Sequence, residues 1–305
     1  MRNATPAERH ASRTQQDWRK ALCVDKLVPL PESGPQLRAV SGQRPPLLRG
    51  FPSDSEPNLI HLIGDVHGDL LALEAAIECV RRDTDEVAKQ QESKINPAVI
   101  LLGDLIDDGP EGNLVLERVM DWAIDRPDKI LLIPGNHDLA LEFTEDGGFA
   151  ASVSPCEFAD WLDDPEGGAT ATDKDIAKSF IDYCQNDGPA AIVLPHDRTL
   201  AVHGGVPHVE LWAPLMAWFQ GDLESTGMTE ELLASKVSDD FAWGRIHSKA
   251  KRKFSDPSSR SQEIGVLDVQ QSLSVLGELL GGLHPTRVIR GHDHKEDRYE
   301  VPKKH

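Results

Sequence analysis

Asp65 and His67 stand just past a short apolar run, Leu59-Ile60-His61-Leu62-Ile63, that Gly64 closes. A carboxylate and an imidazole together suit a divalent transition metal, which accepts mixed oxygen and nitrogen donors. In extended chain, residues two apart project to the same side, so the spacing predicts that both donors face one ion. Asp-x-His alone is a weak signal, because loops that bind nothing also contain it. Four further segments repeat the construction. Ala98-Val99-Ile100-Leu101-Leu102-Gly103 leads to Asp104, and Ile130-Leu131-Leu132-Ile133-Pro134-Gly135 leads to Asn136, His137 and Asp138. Thr199-Leu200-Ala201-Val202 precedes His203-Gly204-Gly205, and Arg287-Val288-Ile289-Arg290-Gly291 precedes His292, Asp293 and His294. In open α/β sheets, ligands bind in the crevice beyond the carboxyl ends of the strands. Each run therefore delivers a donor to the place where such a crevice forms.

The blocks Gly64-Asp65-Val66-His67-Gly68, Gly103-Asp104-Leu105-Ile106-Asp107-Asp108-Gly109, Gly135-Asn136-His137-Asp138, His203-Gly204-Gly205 and Arg290-Gly291-His292-Asp293-His294 together resemble the calcineurin-like metallophosphoesterases. Within that family they look most like the phosphoprotein (Ser/Thr) phosphatase branch. They occur in the family's order over roughly residues 59 to 294. The resemblance implies an α/β fold (α+β in some schemes), a four-layer α/β/β/α sandwich of two mixed sheets. It also implies two divalent metal ions, Mn, Fe or Zn, bridged by Asp104. Asp65 and His67 would hold the first, with His294 as a further ligand; Asn136, His203 and His292 would hold the second. Two cations about 3.5–4 Å apart lower the pKa of a bridging water and clamp the phosphoryl oxygens during in-line attack. By the same resemblance His137 is the general acid that protonates the leaving alkoxide, and Asp107 is the carboxylate that orients and charges it. Asp69 and Asp138 read as capping or ligand-supporting residues.

The chain departs from the branch in three places. His294 belongs to the wider family rather than to the phosphoprotein phosphatases. Asp108 stands where those phosphatases carry a phosphate-gripping arginine, a task a carboxylate cannot perform. Either another arginine substitutes, with Arg245 in Phe241-Ala242-Trp243-Gly244-Arg245 as the candidate, or the metals alone hold phosphate. The chain also stops at His305, where relatives continue into further strands.

The elements that must position these donors follow from the apolar spacing. Leu70, Leu73, Ile77 and Val80 predict a helix over residues 69 to about 82, followed by a charged connection over 83–96. Leu114, Leu116, Val119 and Ala123 predict a second from Glu111, and Val266, Val269, Leu273, Leu276 and Leu280 predict a third, stopped by Gly281-Gly282. Strand, helix, strand, helix, strand is the grammar of a parallel sheet. Residues 143–197 read as two short helices, Glu157 to Leu162 and Asp173 to Gln185, forming either a cap over the crevice or a solvated insertion. Residues 207–262 read as a second irregular, cap-like insertion, in which the basic run Lys249 to Lys253 is either a solvated loop or an attractor of phosphorylated substrate. The proline-rich residues 1–57 read as an extended, partly ordered arm, with a docking arm for a partner or a cover over the sheet edge as the alternative, and residues 58–305 as one catalytic domain.

With 305 residues the chain can bury a sizeable core, and its net charge of −19 argues against broad nucleic-acid binding, which needs phosphate neutralised by clustered Lys and Arg. Its four cysteines show no CxxC spacing, so neither a disulfide framework nor a zinc knuckle is predicted. Neither a secretory signal over Met1 to His10 nor a run long enough to span a bilayer is evident, which predicts a cytoplasmic protein without a membrane partner. The expected partner is a phosphorylated substrate, phosphoprotein or nucleotide. Gly135-Asn136-His137-Asp138-Leu139 is equally similar to dinucleoside tetraphosphate hydrolases, which makes that activity the alternative. A catalytically inactive binding module would lack ligands, and every ligand position is filled here.

Overall fold

The computed structural model describes residues 18–33, 35–38, 46–52, 56–90, 94–126, 129–247 and 263–292. The chain divides into two compact units, Met1–Leu27 with Asp54–Gly188, and Val28–Ser53 with Pro189–His305. Each has its own sheet and its own apolar core.

In the first unit, strands Leu59–Ile63, Pro97–Leu101 and Ile130–Leu132 lie side by side in that order, all parallel. Helices Leu70–Gln90 and Gly112–Asp125 connect them. The first helix presents Leu73 and Val80 to the core, with Leu70 and Ile77 packed against it. It runs on to Gln90 through the expected charged connection, because Glu86, Ala88, Lys89 and Gln90 are good helix formers even without apolar spacing. The second helix buries Val115, Leu116, Val119, Met120 and Ala123. Because parallel strands joined by helices share a direction, their carboxyl ends emerge on one edge. Asp65, Asp104 and Asn136 all follow such ends.

The two short helices expected within residues 143–197 form, as Glu157–Asp163 and Ala171–Asn186, with a loop over 164–170 between them. Thr170 caps the latter, accepting from the Asp173 amide while its own amide donates to the Asp173 carboxylate at 2.8 Å. The buried face of this helix, Ile176, Phe180 and Tyr183, belongs to the core, and the Tyr183 hydroxyl donates to the Leu132 carbonyl at 2.7 Å. The helix is thus a structural layer against the strand end that carries His137. Trp18, Leu22 and Val24 join the same core, Trp18 lying 5.1 Å from the Phe180 ring. The described part of the proline-rich segment is therefore built into the fold rather than extended from it. Burying an indole and two aliphatic side chains outweighs the stiffness its prolines impose.

The second unit holds a mixed sheet of strands Val28–Pro29, Leu48–Gly50, Ala191–Leu194, Thr199–Val202 and Arg287–Arg290, in that order. Here the early segment contributes two strands, one antiparallel to its neighbour and one parallel to Ala191–Leu194. The register pairs Arg290 with Val202 in parallel strands. His203 and His292 consequently leave the same end of adjacent strands. The stretch expected to be irregular instead contains helices Val209–Phe219 and Glu230–Trp243. Leu211, Leu215, Leu233, Val237 and Phe241 of these pack with Leu273 and Leu276 of the helix Val266–Leu279. Their apolar positions are spaced for helices, but Pro214 inside the first and the polar residues Ser235, Lys236 and Ser238 to Asp240 in the second obscure the period. The basic run Lys249 to Lys253 and His294 lie outside the described residues.

Candidate metal centre

In the first unit, donor atoms of Asp65, His67 and Asp104 lie within 4.8 Å of one another. Alternation along an extended strand is not what brings them together, since His67 has φ 47°. The loops are instead laced to each other. The Val66 and His67 amides both donate to the Asp104 carbonyl, at 3.0 and 2.8 Å, and the Gly68 amide donates to Leu105 at 2.9 Å. Asp104, Asp107 and Asp108 also take left-handed φ values of 50°, 64° and 58°. Such conformations cost about 1–3 kcal/mol each and persist where surrounding contacts over-determine them. Aspartate tolerates them better than most residues.

Asp104 is fully buried, and its Oδ1 accepts the His137 amide at 2.9 Å. A side chain at Gly135 would run into that carboxylate and the Asp104 amide, so glycine is required for the approach. Asp138 does not point at the donors. Its carboxylate accepts from the Leu105 and Gly135 amides, both at 2.9 Å, pinning the two loops together. Asp69 accepts from the Ala72 amide at 2.8 Å at the start of helix Leu70–Gln90.

His67 Nδ1 lies 3.2 Å from the Ile106 carbonyl, which can only accept, so that nitrogen carries the proton. In a neutral ring with that tautomer, the Nε2 lone pair would face Asp104 Oδ2 at 3.6 Å. A lone pair and a buried carboxylate repel one another unless a cation lies between them. Two carboxylates and a neutral imidazole converging in this way fit a divalent ion. Asn136 is also buried at this edge.

His137 Nδ1 is 2.8 Å from Asp107 Oδ2, and the other Asp107 oxygen accepts the Phe158 amide at 3.0 Å. Burial pulls the His137 pKa down. The hydrogen bond to Asp107 and the charges of Asp104, Asp107 and Asp138 more than offset that and hold it above the ordinary 6.5. The Phe158 amide was not foreseeable from the sequence, because a backbone donor leaves no trace in residue type. Phe158 is fixed in turn against Gly112.

In the second unit His203 and His292 are both buried, with ring centroids 5.1 Å apart. Arg290 reaches the carbonyls of Gly204 at 3.4 Å and Ile246 at 3.3 Å, bracing the loop after His203. That loop is also held by the end of helix Glu230–Trp243, where Gly204 and Gly205 donate to the Phe241 and Asp240 carbonyls at 2.6 and 3.0 Å. Arg245 begins the strand Arg245–His247 and is exposed.

The Asp240 carboxylate accepts the His208 amide at 2.7 Å. Desolvation, aided by Asp239 and Glu210 and opposed by the His208 amide and Lys236, pushes its pKa up to about 7 from 3.8. Between those values the folded state holds a proton that the unfolded state has lost, so stability falls as pH rises through that window and is level above it. Each pH unit there costs about 1.4 kcal/mol at most. Asp240→Asn keeps an acceptor for His208. Its melting temperature should exceed the parent's by an amount that grows between pH 5 and 7 and levels off by pH 8. A pH-independent difference would show that Asp240 is charged throughout.

A family model of calcineurin-like phosphoesterases matches residues 59–296. Comparison with curated protein sequences gives no match. Similar solved structures include a protein serine/threonine phosphatase from Saccharomyces cerevisiae, 16% identical with a TM-score of 0.44, covering 96% of this chain and 73% of that one. A protein described as a diadenosine tetraphosphatase is 17% identical, TM-score 0.29, covering 53% and 58%. A cold-active protein-tyrosine phosphatase from a psychrophilic Shewanella is 14% identical, TM-score 0.32, covering 86% and 66%. At such distances none of the three bears on substrate. Among the described residues no helix is long and apolar enough to cross a membrane. The family match runs through all five donor-bearing strand ends, and with the donor cluster of Asp65, His67 and Asp104 it places the chain in the calcineurin-like phosphoesterase family, metal-dependent hydrolases of phosphoric esters.

Proposed function

We propose that the protein is a two-metal phosphomonoesterase of the protein Ser/Thr phosphatase type, acting in the cytoplasm. The observation that carries this reading is the buried His137–Asp107 pair, 2.8 Å apart, on the same loops as the Asp65, His67 and Asp104 donors. An acid group beside a cation-binding cluster is what cleavage of a phosphate ester with a poor leaving group needs. Asp65, His67 and Asp104 would hold one ion, and Asp104, Asn136, His203 and His292 the other; His294 would join the first by sequence position. Divalent cations, when bound, supply Lewis acidity toward the phosphoryl oxygens and lower the pKa of water. Asp107 takes the Nδ1 proton of His137 as a hydrogen bond, leaving Nε2–H as the proton given to the departing alkoxide. Asp138 and Gly135 keep the two loops in register while this happens.

Substrate orientation falls to Arg245, which follows Phe241-Ala242-Trp243-Gly244 in the position of a phosphate-gripping arginine. A guanidinium holds two phosphate oxygens at once. Arg245→Ala should therefore raise KM for phosphomonoesters about five- to tenfold with metal content unchanged; an unchanged KM would remove it from that role. The reading as a whole is tested by turnover of phosphopeptides, dinucleoside tetraphosphates and a phosphodiester by Mn-loaded protein. Preference for phosphopeptides is expected. Preference for the dinucleotide would replace this reading with the hydrolase that Gly135-Asn136-His137-Asp138-Leu139 equally resembles.

A further inference from the structure

The left-handed pair Asp107 and Asp108 sends two neighbouring carboxylates to two different imidazoles. Asp107 goes to His137, whereas Asp108 Oδ2 lies 3.7 Å from His67 Nδ1. The two rings meet edge to face with centroids 5.2 Å apart. His67 is thus flanked on both nitrogens. Asp104 is on the Nε2 side at 3.6 Å, and Asp108 with the Ile106 carbonyl is on the Nδ1 side. This placement changes the meaning of Asp108, which by sequence reads only as a missing phosphate-gripping arginine.

We propose that Asp108 is a positioning residue for metal binding: its carboxylate, with the Ile106 carbonyl, keeps the His67 proton on Nδ1 and so keeps Nε2 as a lone-pair donor. The proposal rests on the reading of His67 as a ligand. A negative charge beside Nδ1–H favours that tautomer over the one protonated at Nε2, orients the ring and raises the donor strength of the opposite nitrogen. Asp108 is exposed, with 42% of its side chain in solvent, so water screens the interaction and the effect belongs at the lower end of the range for such partners. Removing it should weaken binding about tenfold.

The test compares full-length parent, Asp108→Asn, Asp108→Gly and His67→Ala. Asparagine tolerates the backbone at φ 58° and keeps an acceptor without charge, whereas glycine removes the group and relieves the backbone. Mn(II) affinity is measured by chelator competition, thermal stability by melting, and the His67 tautomer by nitrogen-15 NMR of metal-free protein at fixed pH. The expected result is Mn(II) affinity reduced about tenfold in Asp108→Gly and less in Asp108→Asn. The melting temperature of metal-free Asp108→Gly should be unchanged or higher, and the Nδ1–H population of His67 should fall in both. A purely structural role would instead lower stability and leave the tautomer alone. If His67→Ala loses Mn(II) while both Asp108 variants bind it like the parent with an unaltered tautomer, the ligand stands and the role of Asp108 is overturned. If His67→Ala binds Mn(II) like the parent, the ligand assignment itself fails, and the proposal with it.

Discussion

Asp104→Asn is expected to abolish turnover, with a loss of about 10³-fold or more, and to release bound cations from the protein. The residue is fully buried and its donor oxygens sit beside those of Asp65 and His67. Asparagine is nearly isosteric and tolerates φ 50°. It can still accept the His137 amide, so the loops should keep their geometry. What is lost is the charge. An ion held by two carboxylates and an imidazole then keeps only one anionic ligand of this cluster, and a carbonyl oxygen does not replace the other. The same reasoning gives the opposite sign for stability without metal. A buried carboxylate is costly when no cation neutralises it. In chelator, Asp104→Asn should therefore melt at or above the parent, and added Mn(II) should raise the melting temperature of the parent much more than that of the variant. Metal analysis alongside melting and turnover checks all three. A variant that retained its cations and normal turnover would mean that Asp104 is not the shared ligand.

The second large effect belongs to His137. His137→Asn should leave metal content intact and reduce turnover about 10²- to 10⁴-fold, the usual contribution of a general acid. The loss should be largest for alkyl phosphates such as phosphoserine peptides, whose alkoxide needs a proton. Aryl phosphates, with a more stable leaving group, should suffer less; an equal loss for both would place His137 outside the proton transfer. Asp107 supplies the strongest upward influence on the His137 pKa. The acid form is the active one, so rate falls as pH rises through that raised value. In Asp107→Asn this fall should begin at lower pH, because less holds the proton on the imidazole. Turnover profiles of parent and variant between pH 6 and 9 distinguish this shift from a uniform loss.

Several elements were legible from residue order alone. The apolar runs at Leu59–Ile63, Pro97–Leu101, Ile130–Leu132, Thr199–Val202 and Arg287–Arg290 are strands, and the donors follow their ends. The helical stripes from Leu70, Leu114 and Val266 fold as their spacing predicts, although the first extends to Gln90 where only propensity supports it. Helices Val209–Phe219 and Glu230–Trp243 were not legible, because their period is broken by residues that also suit loops. The part of the early segment that joins the core was not legible for a related reason. Proline density describes local stiffness, whereas Trp18 and Leu22 are ordered by a core that includes Phe180 and Tyr183, more than a hundred positions later.

The sequence by itself determined which atoms could bind metal and at which strand ends they emerge, because side-chain chemistry and apolar period are local properties of the chain. Only the tertiary structure decided how those atoms are aimed. The Ile106 carbonyl and the Asp108 carboxylate choose the donor nitrogen of His67, and the Phe158 amide, 51 residues away, steadies the carboxylate that charges His137. Those choices come from backbone groups and left-handed turns, and neither is written in residue type. They exist once packing has brought distant segments within hydrogen-bonding distance and holds them there against local strain.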